Sequence, residues 1–422
     1  MQARVAAVAL AMAMTAALGL VPATAQLSGG AGGELGPREN FLAEHEIGRR
    51  FRIDPAALPP PGVQPSVRNG PRVVAHAGQG LAVPPGFTAT LFATGIANPR
   101  RLLVLPNGDV LVAQQRPGHV LRLRDDGTGR AVSSDRYAGP FNEPYGLAWR
   151  GDHLLVADQD GIWRVPGPGQ PAEPITRKGV FGVAWGHSNR PLAVDPKSGA
   201  LFVGVGSIGN IAVEPEVKAT IQRFDPDGSN QTTYAAGARN PTTLAFHVRT
   251  GELWAGVQER DGLGDDLPSD YLIRVRQGGF YGWPFAYLGP NPQPGFAERA
   301  PAKVRATIVP DLLFQAHSSL LDLVFYEAAQ FPARYRGSAF AALKGSWNRS
   351  KPTGYKLVHV PFENGRPVGW YENFATGFWV SGYDRAEAWG RPAALAVAKD
   401  GSLLVADDTG NTIWRISYTG PR

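Results

Sequence analysis

A short pattern recurs six times along most of the chain, and it constrains the fold more than any other feature. In each unit an apolar segment is followed by a turn containing Gly, a second apolar segment and, in most units, a third that contains Arg. Such turns connect antiparallel strands because Gly, Asn and Asp adopt positive φ at little cost. The six turns are Asn107-Gly108, Gly151-Asp152, Ser198-Gly199, Thr250-Gly251, Arg336-Gly337 and Asp400-Gly401.

Each unit predicts three strands, with a fourth before the next unit begins. Six four-stranded antiparallel units indicate an all-β protein, a six-bladed β-propeller. The sixth unit ends near the last residue and lacks a fourth strand, which we expect residues 87–93 to supply. The N-terminal strand would then close the last blade and leave no free sheet edge. A β-sandwich is the rival fold, and six self-similar units disfavour it.

Three segments are predicted along the chain. Residues 1–25 have the layout of a cleaved signal peptide: Arg4, an apolar run, and the small residues Ala23 and Ala25 before Gln26. Residues 26–83 are rich in Gly and Pro and predict an extended arm, with one short helical stretch around 39–51. Residues 84–422 form the predicted propeller, the catalytic domain. We expect an exported protein, periplasmic or secreted.

The composition excludes several classes of function. The 422 residues include no Cys, so thiolate metal sites, iron–sulfur clusters and Cys nucleophiles are ruled out. The net charge of +6 comes from scattered Lys and Arg, which does not indicate a nucleic-acid partner. No dinucleotide-binding Gly motif is present, and no segment after the signal peptide is apolar enough to span a membrane.

Two motifs precede the innermost strands of the third and fourth units. His187 is placed near the mouth of the central channel, where an imidazole can exchange protons near neutral pH. Arg239, followed by Asn240 and Pro241, holds the same relative position one unit later, and its guanidinium suits carboxylates and developing oxyanions. The alternatives are a loop histidine and an arginine paired with a nearby acid.

Further charged and aromatic residues are predicted around this mouth. Residues 259–266 form an acidic, Gly-containing loop that suits a hard cation such as Ca²⁺, although a solvated acidic turn remains the alternative. Lys344 and Arg391 would join Arg239 in a cationic rim for a ligand with several carboxylates. Residues 278–284 combine Gly with aromatic residues and would wall a flat slot, or simply pack on the core.

Several of these motifs, in order and spacing, resemble the glucose/sorbosone dehydrogenase family, in its sorbosone-dehydrogenase-like branch. The resemblance covers residues 58–416 and rests on Pro84-Pro85-Gly86-Phe87, Gly186-His187, Ala238-Arg239-Asn240-Pro241, the loop 259–266, Phe280-Tyr281-Gly282-Trp283-Pro284 and Gly345-Ser346-Trp347-Asn348-Arg349. It implies a propeller that binds pyrroloquinoline quinone (PQQ) and Ca²⁺ and oxidises sugars.

The resemblance also implies roles for individual residues. His187 would be the general base, and Arg239 would hold the cofactor with Asn240 and stabilise the reduced oxygen. Lys344 and Arg391 would be carboxylate partners, and the backbone carbonyls of Arg260 and Asp261 would hold Ca²⁺. A cytochrome or a quinone would accept the electrons.

Two departures from the family put glucose in doubt as the substrate. Ser207 stands where the soluble glucose dehydrogenases carry an Asp that orients the catalytic His, and Thr242 stands where they carry Gln. The leading hypothesis is therefore a PQQ-dependent dehydrogenase of sugars or related aldehydes and alcohols. The alternatives are a Ca²⁺-dependent lactonase-type propeller hydrolase and a non-catalytic propeller that binds glycans or proteins.

Overall fold

The computed structural model describes residues 35–421, and β-strands dominate it. Six antiparallel sheets follow one another, each built on four strands that pair with their neighbours. Sheets 1 and 2 contain Pro99–Val104, Val110–Gln114, His119–Asp125 and Ala131–Ala138, then Gly146–Arg150, His153–Ala157, Ile162–Val165 and Glu173–Pro174. Sheets 3 and 4 contain Leu192–Val194, Leu201–Val205, Thr220–Phe224 and Thr232–Ala236, then Asn240–Phe246, Leu253–Gln258, Ser269–Arg274 and Leu312–Ala316. Sheets 5 and 6 contain Leu320–Tyr326, Ser338–Leu343, Lys356–Val360 and Tyr371–Ala375, then Pro392–Val397, Leu403–Asp407, Thr412–Tyr418 and Phe87–Thr94.

The remaining elements are short. Sheet 3 gains Gly279–Phe280 at its edge, sheet 5 gains Arg50–Phe51, and Arg72–Val73, Glu387–Ala388 and Trp379–Ser381 form a separate ribbon. Two further hairpins pair Ala286–Tyr287 with Asn291–Pro292 and Phe362–Glu363 with Arg366–Pro367. The helices are Pro37–His45 and Pro301–Arg305, with 3₁₀ turns at Pro55–Ala57, Ala297–Arg299 and Ala333–Tyr335. Neither α-helix in residues 35–421 has the length and hydrophobicity that a bilayer crossing requires.

Sheet 6 takes its fourth strand from the other end of the chain. Phe87–Thr94 runs antiparallel to Thr412–Tyr418, with Phe87 opposite Tyr418. The predicted all-β class and the predicted N-terminal closing strand are therefore confirmed. The first strands of consecutive sheets also contact one another, and the first strand of sheet 6 contacts that of sheet 1.

The core lies between neighbouring sheets. The second strands Val110–Gln114 and Ser338–Leu343 are buried along their whole length, which explains their continuous apolar sequence. One apolar cluster joins sheet 4 to sheet 5 through Trp254, Phe314 and Tyr371. The side chains of one sheet therefore pack against those of the neighbouring sheets.

The N-terminal arm is anchored to sheets 5 and 6. Its helix covers Pro37–His45, whereas the sequence predicted a helical stretch at 39–51. The helix ends earlier because Arg50–Phe51 pairs as a strand with sheet 5. Glu44 on the helix forms a buried ion pair of 2.6 Å with Lys356. The predicted signal peptide, residues 1–25, lies outside the described residues.

The antiparallel pairing brings particular positions together at one end of all six sheets. Pro99 lies opposite Gln114, Asn240 opposite Gln258, and Pro392 opposite Asp407. Residues that precede a first strand therefore meet residues that follow the second strand of the same sheet. We call this end the site face.

Candidate active site

All of the predicted site residues lie on the site face. His187, Arg239 and Arg391 precede the first strands of sheets 3, 4 and 6, and Lys344 follows the second strand of sheet 5. Arg260 and Asp261 follow the second strand of sheet 4. The structure divides these residues into two groups, one around His187 and Arg239 and one around Lys344 and Arg391.

His187 is fixed by the backbone of the loop that follows the second strand of sheet 3. Its Nδ1 lies 2.9 Å from the Ser207 carbonyl oxygen and 3.1 Å from the Ser207 hydroxyl. That hydroxyl donates to the Gly209 carbonyl at 2.7 Å. Nδ1 must therefore carry the hydrogen that the carbonyl accepts, which leaves Nε2 with a free lone pair. Ser207, which replaces the Asp of the family pattern, therefore orients His187 mainly through its backbone carbonyl.

The electrostatic surroundings keep the imidazole neutral. Burial lowers the pKa of His187 to about 3, with Arg239 as the next largest cause. Ser207, whose carbonyl holds the ring, also donates its backbone N–H to the Arg239 carbonyl at 2.8 Å, which places the two residues side by side. A neutral imidazole with a free Nε2 is the form that can accept a proton.

Arg239 is buried, and Asn210 holds its guanidinium. Nε donates to the Asn210 carbonyl at 3.0 Å, and Nη2 donates to Asn210 Oδ1 at 3.1 Å. Nη1 donates to the Glu259 carbonyl at 2.7 Å. Burial lowers the pKa of Arg239, although nearby carboxylates, Asp261 first among them, oppose that shift. The result is a fixed cation beside the imidazole.

Asn240 presents a buried acceptor without a partner. Its Nδ2 donates to Gln258 Oε1 at 3.0 Å, while its Oδ1 is buried and has no hydrogen bond. A Cβ placed on Gly206 would lie 2.6 Å from both Asn240 Oδ1 and His187 Cβ. Glycine at 206 thus lets Asn240 and His187 approach each other. A buried polar atom left unpaired is costly, so it points to a hydrogen-bonding ligand.

Lys344 and Arg391 form the second group together with two residues that the sequence did not single out. Lys344 Nζ donates to Asp408 Oδ2, and Arg100 Nη1 donates to the same oxygen at 2.6 Å. Arg391 donates to the carbonyls of Lys344 and Gly345 at 3.1 and 2.6 Å. Burial, followed by repulsion from Arg100, lowers the pKa of Lys344 to about 7. Burial acts to raise the pKa of Asp408, but Lys344 and Arg100 outweigh it and bring the pKa to about 2.

A cavity of about 900 Å³ opens beside the second group. Its lining includes Ser188, the neighbour of His187, but the lining does not extend to Arg239 or Asn240 among the described residues. The charged side chains that line it are Arg100, Arg116, Lys344, Arg391, Glu143 and Asp408. The cavity therefore has an excess of positive charge and a volume typical of small-molecule sites.

Hydrogen bonds connect the two groups on both sides. Gln258, which pairs with Asn240, donates through Nε2 to the Ser319 hydroxyl at 2.9 Å, and the Ser319 carbonyl accepts from the Lys344 backbone at 2.9 Å. On the other side, Arg100 Nη2 donates to Asn189 Oδ1 at 3.2 Å, and Arg190 Nη1 donates to the carbonyls of both Asn189 and His187 at 2.7 Å. The site face thus carries one continuous polar network that includes His187, Arg239, Asn240, Lys344 and Arg391.

The residues present suit PQQ and do not suit the calcium ligation that the resemblance implies. Lys344 and Arg391 line a cavity with excess positive charge, which suits carboxylates. The buried Asn240 Oδ1 has no partner and can accept a hydrogen bond from a ligand. The Asp261 carbonyl, by contrast, already accepts Asn210 Nδ2 at 3.0 Å and Arg260 Nε at 2.9 Å. No group of three or more His, Asp or Glu within residues 35–421 is arranged to hold a metal ion.

Sequence reasoning missed Asp408, Arg100 and Asn210. Asp408 follows the second strand of sheet 6 as Lys344 follows that of sheet 5, and Arg100 is the second residue of the first strand of sheet 1. Applying the same positional rule to every unit would have found both. Asn210 lies in a loop whose course no repeat predicts. The aromatic segment 278–284 divides: Tyr281 packs in the core, and Trp283 Nε1 donates to the Asn210 carbonyl at 3.1 Å.

Comparison with family models identifies two matches. Residues 81–268 and 298–419 match the model described as TrAA12-like. Residues 186–351 match the Glucose / Sorbosone dehydrogenase model, which confirms the family that the motifs predicted.

Solved structures share this fold. The holo form of the pyranose dehydrogenase PQQ domain from Coprinopsis cinerea is 21% identical and covers 82% of this chain and 99% of that one, with a TM-score of 0.66. The calcium structure of the Trichoderma reesei Carbohydrate-Active Enzymes Family AA12 protein is 19% identical and covers 82% and 98%, with a TM-score of 0.66. The PQQ-bound aldose sugar dehydrogenase from Streptomyces coelicolor is 20% identical and covers 80% and 99%, with a TM-score of 0.54. At these identities the likeness establishes the fold.

A curated relative is also similar in sequence. An uncharacterized protein of Borreliella burgdorferi is 32% identical over 235 residues, which make up 55% of this chain. The match spans 61% of the length of that relative.

Proposed function

This chain belongs to the TrAA12-like family, and on that premise we propose that it is a PQQ-dependent dehydrogenase of a sugar or a related aldehyde or alcohol. The observation that carries the proposal is a neutral His187 with a free Nε2, held beside Arg239 and joined by hydrogen bonds to a cationic cavity. We also take the six sheets to be the blades of one closed propeller, supported by the cyclic contacts among their first strands.

The cationic residues would hold the cofactor. PQQ is planar and carries three carboxylates, so Lys344, Arg391 and Arg239 are suitable partners for its charges. The Asn240 side chain would complete its hydrogen bonding to that ligand through Oδ1. When bound, PQQ would supply a quinone that can take up the hydride of the substrate C–H bond.

His187 would remove the hydroxyl proton of the substrate. The Ser207 carbonyl holds the Nδ1 hydrogen, so the incoming proton is accepted at Nε2. The pKa of about 3 reflects burial and the charge of Arg239. A carboxylate bound against Arg239 would offset that charge and raise the basicity of the imidazole. Arg239 would stabilise negative charge that develops on a reacting oxygen, as a preorganised donor.

The two departures from the family pattern act differently on the substrate. Thr242 is fully buried, and its hydroxyl donates to the Leu320 carbonyl at 2.8 Å, so it faces the neighbouring strand. A Gln that could reach a substrate is therefore replaced by a residue that cannot. Ser207 brings no carboxylate near His187. Both observations support a substrate other than glucose, within the sorbosone-like range. Export to the periplasm and a cytochrome or quinone as electron acceptor belong to the same proposal.

The test is reconstitution. Apoprotein purified without quinone is titrated with PQQ, and dye reduction is followed with a panel of aldoses, sorbosone-type aldehydes and sugar alcohols. We expect reduction that requires PQQ and is lost in His187→Ala. His153→Gln is the matched control, since His153 begins the second strand of sheet 2 and so lies at the opposite end of the sheets. No bound PQQ and no reduction with any substrate would refute the proposal.

A further inference from the structure

Nitrogen donors occupy two carbonyl oxygens of the acidic loop 259–266, those of Glu259 and Asp261. The Asp261 carbonyl accepts two, from Asn210 and from Arg260, at 3.0 and 2.9 Å. The Glu259 carbonyl accepts Arg239 Nη1 at 2.7 Å. A carbonyl oxygen has two lone pairs, so the Asp261 oxygen has none left for a cation. Of the two oxygens that the family resemblance assigns to calcium, only that of Arg260 stays free of such donors among the described residues.

Positive charge is also present beside this loop. Burial lowers the pKa of Arg260, Glu259 acts against that shift, and the charge of Arg239 adds to it. A divalent cation between the two arginines would meet repulsion from both. Two acids of the loop are engaged elsewhere: Asp261 accepts from Asn348, and Asp266 pairs with Arg349 at 2.6 Å. Glu259 keeps one buried oxygen, Oε1, without a hydrogen bond.

Asn210 connects the parts that a bound cation would otherwise hold together. Its Oδ1 accepts from the Asp261 backbone N–H at 2.8 Å and from Arg239 at 3.1 Å. Its own carbonyl accepts from Arg239 Nε at 3.0 Å and from Trp283 Nε1 at 3.1 Å. One residue thus fixes the acidic loop, the arginine and the aromatic segment relative to one another, through its side chain and its backbone carbonyl.

We propose that Asn210 and Arg260 take the structural place of calcium in this chain, so that its cofactor site is assembled without a divalent cation. The inference rests on the proposed function for the identity of the cofactor. Its structural part, the absence of a calcium requirement in the loop, stands on the contacts alone. Asn210 and Arg260 are positioning residues here, because Asn210 links the loop to Arg239 and Arg260 donates to the Asp261 carbonyl within the loop.

The experiment uses the full-length mature protein after treatment with a chelator. Calcium chloride is added alone, and thermal unfolding and binding heat are recorded; PQQ is then titrated with and without calcium. We expect no binding heat, an unchanged Tm, and a PQQ Kd that calcium alters by less than about threefold. A calcium-dependent rise in Tm of about 2 °C or more, or a tenfold tighter PQQ Kd with calcium, would overturn the inference.

Two variants separate the role of Arg260 from general effects of charge. Arg260→Gln frees one lone pair of the Asp261 carbonyl and removes a positive charge, so this variant should gain a calcium-dependent rise in Tm. Arg305→Gln, which removes an exposed arginine far along the chain, should gain none. An Arg260→Gln protein that does not respond to calcium would overturn the role given to Arg260. If PQQ fails to bind under every condition, the proposed function fails, while the calcium titration still decides this inference.

Discussion

The carbonyl oxygen of Ser207 accepts both the backbone N–H and the ring Nδ1–H of His187, at 3.0 and 2.9 Å. The backbone N–H of Ser207 in turn donates to the Arg239 carbonyl at 2.8 Å. One peptide segment therefore sets the position of the imidazole relative to the start of sheet 4. Because only the backbone of Ser207 takes part, this relationship does not depend on the side chain at position 207.

Ser207→Ala should leave kcat within about threefold of the wild type, because the carbonyl that fixes the tautomer is retained. The lost hydroxyl, which donates to the Gly209 carbonyl at 2.7 Å, should cost about 1 kcal/mol of stability. Steady-state kinetics and denaturant unfolding measure the two effects. A hundredfold fall in kcat in a folded variant would show that the hydroxyl, not the carbonyl, orients His187.

His187→Ala should lower kcat by about 10²- to 10⁴-fold, the usual contribution of a positioned general base. PQQ affinity should change little, because the imidazole is neutral and the cationic residues remain. Comparing kcat with the PQQ Kd in the same preparation separates the two roles. A variant that keeps kcat but loses PQQ would reassign His187 to cofactor binding.

Cofactor affinity should fall as the pH rises above about 7, through the loss of a proton from Lys344. Burial and then Arg100 lower the pKa of Lys344 to about 7, so the positive charge that attracts a carboxylate is present below that pH and lost above it. Binding of an anion favours the protonated lysine, so PQQ binding should take up protons near pH 7. Lys344→Arg should bind PQQ with a Kd that stays flat from pH 6 to 9. If the PQQ Kd rises equally steeply with pH in the wild type and in Lys344→Arg, Lys344 is excluded as the titrating group.

Asp408→Asn should destabilise the protein without PQQ by about 3 to 5 kcal/mol, since Lys344 and Arg100 lose the carboxylate that both contact. Added PQQ should recover part of the lost Tm, because its carboxylates supply the missing negative charge. In the wild type the pKa of Asp408 is lowered to about 2. The stabilisation by the Asp408 carboxylate is therefore fully present above pH 3.8, the usual pKa of Asp, and is lost as the pH falls through about 2. Thermal unfolding with and without PQQ measures the effect. A variant as stable as the wild type would contradict it.

Glu44→Ala should destabilise the chain by about 3 to 5 kcal/mol, because it leaves Lys356 buried and unpaired. Burial acts to raise the pKa of Glu44, but Lys356 and hydrogen bonds outweigh it and lower the pKa. The stabilisation is therefore present above pH 4.5, the usual value, and lost as the pH falls through the lower folded value. The pair Glu44→Leu and Lys356→Met should restore much of the stability. A destabilised double variant would point to the hydrogen bonds of Glu44 with Gln315 and Thr353 instead.

The sequence predicts the sheets well because local signals determine them. Turn residues such as Asn107-Gly108 and Asp400-Gly401 separate apolar runs, and each run becomes a strand of the expected sheet. Positions at the start of a first strand, or just before it, follow from the same pattern, which is why Arg239, Asn240 and Arg391 are found on the site face. The helix of the arm is predicted less well, because the last part of the predicted helical stretch, Arg50–Phe51, pairs as a strand with sheet 5.

Contacts between loops are beyond sequence reasoning of this kind. The partners of Arg239 depend on how the loop carrying Asn210 folds back, and no periodicity encodes that course. The pairing of Lys344 with Asp408 joins residues 64 positions apart, on different sheets. The donors on the Asp261 carbonyl could not be predicted for the same reason, since one comes from a side chain 51 positions away and the other from the side chain of Arg260.

The most direct test of the account is a PQQ titration of apoprotein, with binding followed by calorimetry and turnover by dye reduction in the presence of the sugar panel. We expect saturable binding of about one PQQ per chain, and sugar oxidation that appears with it and is abolished in His187→Ala. A folded protein that neither binds PQQ nor oxidises any sugar or aldehyde after PQQ is added would contradict it.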